Sequence, residues 1–144
     1  VQQKAKMLAP LSTTRIHQSG KKGDLMSSMI VFTPGLQWLV LADEGEKGYT
    51  NWGDGSQIDS SALVVKINSD QALNGGHGDW RMPTVDELLS AHGAQYSPKH
   101  GLYWTSSMVK NHVDYALCVD FECGDADGEY RHDRYCVRLV RNDQ

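Results

Sequence analysis

No apolar run in the 144 residues approaches the roughly 20 needed to cross a bilayer, and the polar opening VQQKAKML lacks the apolar core of a signal peptide. Membrane insertion by this segment is not expected. Positive charge is short as well: 14 Lys and Arg stand against 18 Asp and Glu, a formal net charge of -4, so a nucleic-acid surface is not expected either. Cysteine is scarce and odd in number, with Cys118, Cys123 and Cys136 all late in the chain, too few to build a fold from disulfides. Phenylalanine is nearly absent. The aromatics are four Trp and six Tyr against two Phe, amphipathic rings that suit half-buried sites and recognition surfaces. Catalytic signatures are missing too: there is no nucleophile elbow and no HExxH, and His17, His77, His92, His100, His112 and His132 belong to no ordered motif. An enzyme is not expected.

What is present reads as one globular domain, large enough to bury about 68–70% of its unfolded surface without a metal or disulfide. Residues 1–28, broken by Pro10 and SGKKGD, form an N-terminal segment or linker in which VQQKAKML is a short helix or part of the linker. Residues 29–144 form the domain. MIVF, a turn at Thr33-Pro34-Gly35, and LQWLVL read as a β-hairpin. Residues Ala42 to Asp59 form a long surface loop with Tyr49 and Trp52 as anchors. SSALVVKINSDQAL is a first helix, with Leu63, Val64 and Ile67 on one face.

The stretch GGHGDWRMPTVDELLSAH has the glycines of a phosphate loop but not its spacing, since no Lys-Ser/Thr follows the last glycine. It reads instead as a structural hinge around Trp80, Arg81, Pro83, Thr84 and Glu87. Trp80 is expected beneath the following helix and Arg81 as a donor to fixed backbone or carboxylate acceptors. Thr84 and Glu87 have the spacing of a capping box. Leu88, Leu89 and His92 form the expected inward stripe, with Gly93 as the stop. LYWTSS is a further strand and VKNHV a turn or exposed loop. YALCVDF and YCVRLV alternate so that Leu117, Val119 and Phe121, and Tyr135, Val137 and Leu139, share core faces. They are expected to pair antiparallel through the loop ECGDADGEYRHDR, leaving Cys118, Asp120, Cys136 and Arg138 on the other faces.

In that arrangement Cys118 and Cys136 could form a cross-strand disulfide in an exported protein. Zinc is not expected, because C-x4-C-x8-H-x3-C over Cys118, Cys123, His132 and Cys136 lacks the tight C-x2-C knuckle. The loop from Asp120 to Arg134 concentrates Asp120, Glu122, Asp125, Asp127, Glu129 and Asp133, oxygen ligands that suit calcium. Its glycines miss the EF-hand register, and a solvated acidic loop is the favoured reading. No cofactor is expected, with calcium as the alternative.

The order GLQWL, GDWRMPTVDELL, LYWTSS, YALCVDF and YCVRLVR, from about Gly35 to Arg141, resembles the domain family named after the C-terminal domain of a Legionella collagen-like adhesin. The resemblance implies a C-type-lectin-like α+β fold, with two helices, twisted antiparallel β-sheet and long loops. It implies bacterial surface or secreted display and a role in adhesion, and it carries no catalytic residues. The calcium-sugar motifs of vertebrate lectins with this fold are absent. Formylglycine-generating and sulfoxide-synthase enzymes have a similar helix start but much longer catalytic domains. Retroelement-diversified receptors share the lectin-like fold and display variable residues near the C-terminus.

The expected function is a noncatalytic, extracellular or cell-surface binding module for a host glycan or protein receptor. Its expected contact residues are Asn111, His112, Asp125, Asp127, Tyr130, Arg131, His132 and Arg134, a mixture of ring, charge and hydrogen-bonding groups. The alternative is a structural or assembly subunit, such as a pilus or fibre tip domain, joined to a larger parent protein or to copies of itself.

Overall fold

The computed structural model describes residues 13–17, 28–41, 52–53 and 59–143. The helix or linker expected at VQQKAKML and the Tyr49 anchor lie outside the described residues. The order is β1 (Thr13–His17), β2 (Ser28–Thr33), β3 (Leu36–Leu41), α1 (Ser60–Asn68), α2 (Gln71–Asn74), α3 (Val85–Ala91), β4 (Leu102–Val109), β5 (His112–Asp120), β6 (Asp125–Tyr130) and β7 (Leu139–Asn142). The strands form two antiparallel sheets, one in the order β1-β2-β3-β7 and one in the order β4-β5-β6. The α+β class is as expected.

The β2–β3 hairpin closes at Gly35, whose φ of +79° is the left-handed conformation that glycine adopts without strain. Inside it Trp38 is buried and its Nε1–H donates to Thr33 Oγ1 at 2.8 Å, so the ring's one polar atom is satisfied within the core. β1 pairs with β2, which draws part of residues 1–28 into the first sheet.

The expected first helix is two. Asp59 caps α1 by accepting from Ala62 N–H at 2.7 Å, and Asp70 caps α2 by accepting from Ala72 N–H at 3.0 Å. The break falls at Ser69-Asp70, where short polar side chains compete for backbone groups. Leu63 and Ile67 are buried as expected, with Val64 half-buried against them.

The hinge contains the capping box in full: Glu87 N–H donates to Thr84 Oγ1 at 3.1 Å, and Thr84 N–H donates to Glu87 Oε1 at 2.9 Å. Its packing differs from expectation. Trp80 lies not under α3 but against α1 and α2, where Nε1–H donates to Asn74 O at 2.9 Å and the ring joins Ile67 and Leu73 in the core. α3 is held by Arg81 and Pro83 instead. Arg81 exchanges two backbone hydrogen bonds with Val140 and clasps both oxygens of Glu87 at 2.9 and 2.8 Å; Pro83 is buried, and its carbonyl accepts from Ser106 N–H at 2.7 Å. The face α3 buries consists of Leu88 and Ala91, while His92 is exposed. The residue at the end of the last turn has rotated off the stripe.

The C-terminal part corrects the expected pairing most. ECGDADGEYRHDR is not a loop between paired strands. Its centre is β6, an edge strand paired with β5, and β5 also pairs with β4. The chain then passes to the far side of β4, where Cys136 and Tyr103 form a parallel bridge, and ends as β7 beside β3. Residues 136–140 are all buried, so Cys136 and Arg138 face no solvent. On β5, Ala116 and Cys118 are buried on one face and Val119 on the other, because the two faces of this strand are covered by different parts of the molecule.

Candidate functional site

Strand register sorts the expected contact residues onto two opposite faces of the β4-β5-β6 sheet. Residues directly opposite in an antiparallel ladder share a face. Tyr115 lies opposite Tyr130 and Leu117 opposite Gly128, which sets Val113, Tyr115, Leu117, Gly128 and Tyr130 on one face. Cys118 lies opposite Asp127, Asp120 opposite Asp125 and Ala116 opposite Glu129, which sets Asp125 and Asp127 on the other. The residues expected to make one patch therefore make two.

The first face carries a row of four rings. His112 and Tyr115 are 6.3 Å apart between centroids, Tyr115 and Tyr130 6.0 Å, and Tyr130 and His132 4.9 Å. Tyr115 and Tyr130 are each 43% exposed and Val113 beside them 69%, so the rings stand in solvent rather than in a core. Asn111 forms the turn at one end of the row. With φ of +67° it takes the left-handed conformation that Asn tolerates better than most residues, and it lets Val109 pair with His112 across a two-residue turn. Gly128 belongs to the same face for a steric reason. A Cβ there would stand 2.8 Å from Val109 Cγ2, so the end of β4 folds directly onto β6.

Arg131 is committed to holding the scaffold. Its backbone N–H donates to Asp114 O at 2.8 Å, its Nη1 donates to Val113 O at 3.1 Å and its Nη2 donates to Gly53 O. The guanidinium lies 5.7 Å from the centre of the Trp52 ring. Trp52 is the loop anchor expected from the sequence: its N–H donates to Arg131 O at 3.0 Å and its Nε1–H to Thr105 O at 2.7 Å. Arg134 is exposed beyond β6, outside the row.

The second face is acidic. A depression of about 500 Å³ is lined by His100, Gly101, Leu102, Asp120, Glu122, Tyr135 and Cys136, and one of about 460 Å³ shares Leu102 and Asp120 with it and adds Asp125, Asp127 and Glu129. Tyr135 OH donates to Glu129 Oε1 at 3.1 Å; burial, then the Glu129 charge, pushes the phenol up to about 12. Burial, with Glu129 and Cys136 adding to it, pushes the Cys118 thiol well above the ordinary range.

The cross-strand disulfide is not formed: Cys118, Cys123 and Cys136 are all in the reduced form. The physical reason is topology: Cys118 is inside the β4-β5-β6 sheet opposite Trp104, whereas Cys136 bridges the outer side of β4 at Tyr103. Cys123 is exposed at the β5–β6 turn, and the His132 ring lies tilted against Tyr130.

Tyr115 is the member of the row that sequence reasoning missed, and Val113 lies on the same face. The only signal was a faint alternation in DADGEY, masked by its acids; it is the β5–β6 register that brings Tyr130 opposite Tyr115.

The domain is of the α+β class, with two antiparallel sheets and exposed tyrosine rings on one face of the second. The particular assignment is that the chain belongs to the Lcl C-terminal domain family, whose model matches residues 32–141. That match runs from the end of β2 through β3 and the hinge into β7, and it marks the chain as an adhesin-associated domain of surface or extracellular type. No curated protein matches the chain. Among the described residues no helix is long and apolar enough to cross a membrane.

Proposed function

We propose that this domain is a noncatalytic recognition module of a bacterial surface or secreted protein, and that it adheres to a host glycan or protein receptor through the His112–Tyr115–Tyr130–His132 row. The observation that carries the reading is the row itself, four rings in succession on a sheet face. Exposed Tyr rings held by cross-strand pairing offer large contact area at a small cost in side-chain entropy, the composition favoured in recognition surfaces. The two antiparallel sheets, with the first and last described strands in the same sheet, support the C-type-lectin-like fold that the family resemblance implies. No cofactor takes part in this reading.

The test is binding of purified domain to host-cell surfaces. Tyr115→Ser with Tyr130→Ser is expected to abolish retention while leaving the thermal transition cooperative. Wild-type retention by this double variant would move the site to another surface.

A further inference from the structure

The two faces of the β4-β5-β6 sheet are segregated by charge. On β5 and β6 the ring face presents Val113, Tyr115, Leu117, Gly128 and Tyr130, none of which is charged at neutral pH, up to the buried Val119. The opposite face presents Asp114, Asp120, Asp125, Asp127 and Glu129. We propose that the ring face takes an uncharged pyranose sugar, stacked by its C–H side on Tyr115 with Tyr130 at its edge, and that it discriminates against sialylated or sulfated glycans. This rests on the recognition reading above and narrows it to one ligand chemistry.

Three observations support the choice. First, the row supplies what a neutral sugar presents. A pyranose has an apolar C–H face and a rim of hydroxyls; Tyr115 and Tyr130, set at 62° to each other and each 43% exposed, offer a ring face and a ring edge, and their hydroxyls with the flanking His112 ring offer donors and acceptors at the rim. Second, no cation is provided on the strands of this face. Arg131, next to Tyr130, spends its guanidinium on Val113 O, Gly53 O and the Trp52 ring, while Lys110 and Arg134 sit outside the strands. An anionic sugar brought here would lose hydration without a paired charge. It would also approach a domain of net charge -4 whose carboxylates lie one sheet thickness away, within about a Debye length of 8–10 Å. Third, the platform is pre-organised. The Val109–Gly128 contact and the Tyr115–Tyr130 pairing fix both strands before any ligand arrives, which lowers the ordering cost of binding.

The experiment uses immobilised neutral gluco- and galacto-oligosaccharides beside the same cores carrying sialic acid or sulfate, probed with the whole chain and two variants. Wild type is expected to retain a neutral core, with affinity changing less than about twofold between low and high salt because no ion pair is involved. Tyr115→Ser is expected to weaken that binding about tenfold, and Tyr115→Phe, which keeps the ring, to restore most of it. Preference for the charged cores with steep salt dependence would overturn the proposal, as would neutral binding indifferent to Tyr115→Ser. Tyrosine-dependent binding to cells without binding to any glycan would overturn the sugar and leave the recognition reading standing. Loss of both would overturn both.

Discussion

Glu87 does two jobs with one carboxylate, and substitution can separate them. It closes the capping box on Thr84 and accepts a bidentate contact from Arg81 at 2.8–2.9 Å, and Arg81 in turn is tied to Val140 through its backbone and to Asn142 through Nη2. Thr84→Ala removes the cap alone and is expected to cost about 1 kcal/mol. Glu87→Gln keeps an amide oxygen for Thr84 N–H and removes the charge. The side chains of Arg81 and Glu87 are 40% and 20% exposed, so solvent screening holds this loss to about 0.5–1 kcal/mol. Glu87→Ala loses both and is expected to cost about 2 kcal/mol, or about 4–8 °C in Tm at about 2–4 °C per kcal/mol for a chain near this length. Denaturant melts of the three variants measure this.

The pH dependence has a fixed sign. The Arg81 guanidinium beside it holds the Glu87 carboxyl below its ordinary value, so its contribution is complete above the ordinary glutamate range and is lost as pH falls through the lowered folded value. The gap between wild type and Glu87→Gln should therefore be full at neutral pH and close in acid. Equal stability of Glu87→Ala and wild type at pH 7, or a gap that widens in acid, would refute the reasoning.

Arg131→Ala should destabilise by about 1–3 kcal/mol through loss of its carbonyl contacts and of the Trp52 stack, yet keep ligand binding well below its melting temperature; Arg131→Lys should not rescue it, since one ammonium cannot reproduce the fork. Gly128→Ala should cost about 1 kcal/mol or more by pushing Val109 off β6, and should weaken ligand binding as the row shifts, both readable from a melt and a titration. A thiol reagent should label one cysteine, Cys123, in the native protein and all three after unfolding, and reducing agent should leave Tm unchanged; rapid native labelling of two or three would contradict the buried positions of Cys118 and Cys136.

The legible parts of the fold were those written in local chemistry. A Pro-Gly turn between apolar runs, and a Thr and Glu three residues apart before Leu88, are signals that a few neighbouring residues generate by themselves, and the structure has both. β6 was not legible as a strand because DADGEY puts only Ala126, Gly128 and Tyr130 on its less polar side and acids on the other, a pattern set by an edge position. Once that strand was read as loop, the remaining apolar segments, YALCVDF and YCVRLV, were paired with each other, and Cys118 and Cys136 were drawn together with them. The helix break at Ser69-Asp70 is in the sequence as a second capping residue, masked because the apolar spacing of Leu63, Val64 and Ile67 continues past it to Leu73. For the candidate site, Tyr130 and His132 stand out in the sequence by residue type, whereas Tyr115 depends on register, and register is a long-range property that turns and edges decide together.

The central claim is that recognition belongs to the ring face and not to the acidic face behind it. Its most direct measurement is cell-surface binding by two double variants side by side, Tyr115→Ser with Tyr130→Ser on one face and Asp125→Asn with Asp127→Asn on the other. The account predicts that the first loses binding and the second keeps it at the wild-type level. Binding that survives in the first and fails in the second would contradict it.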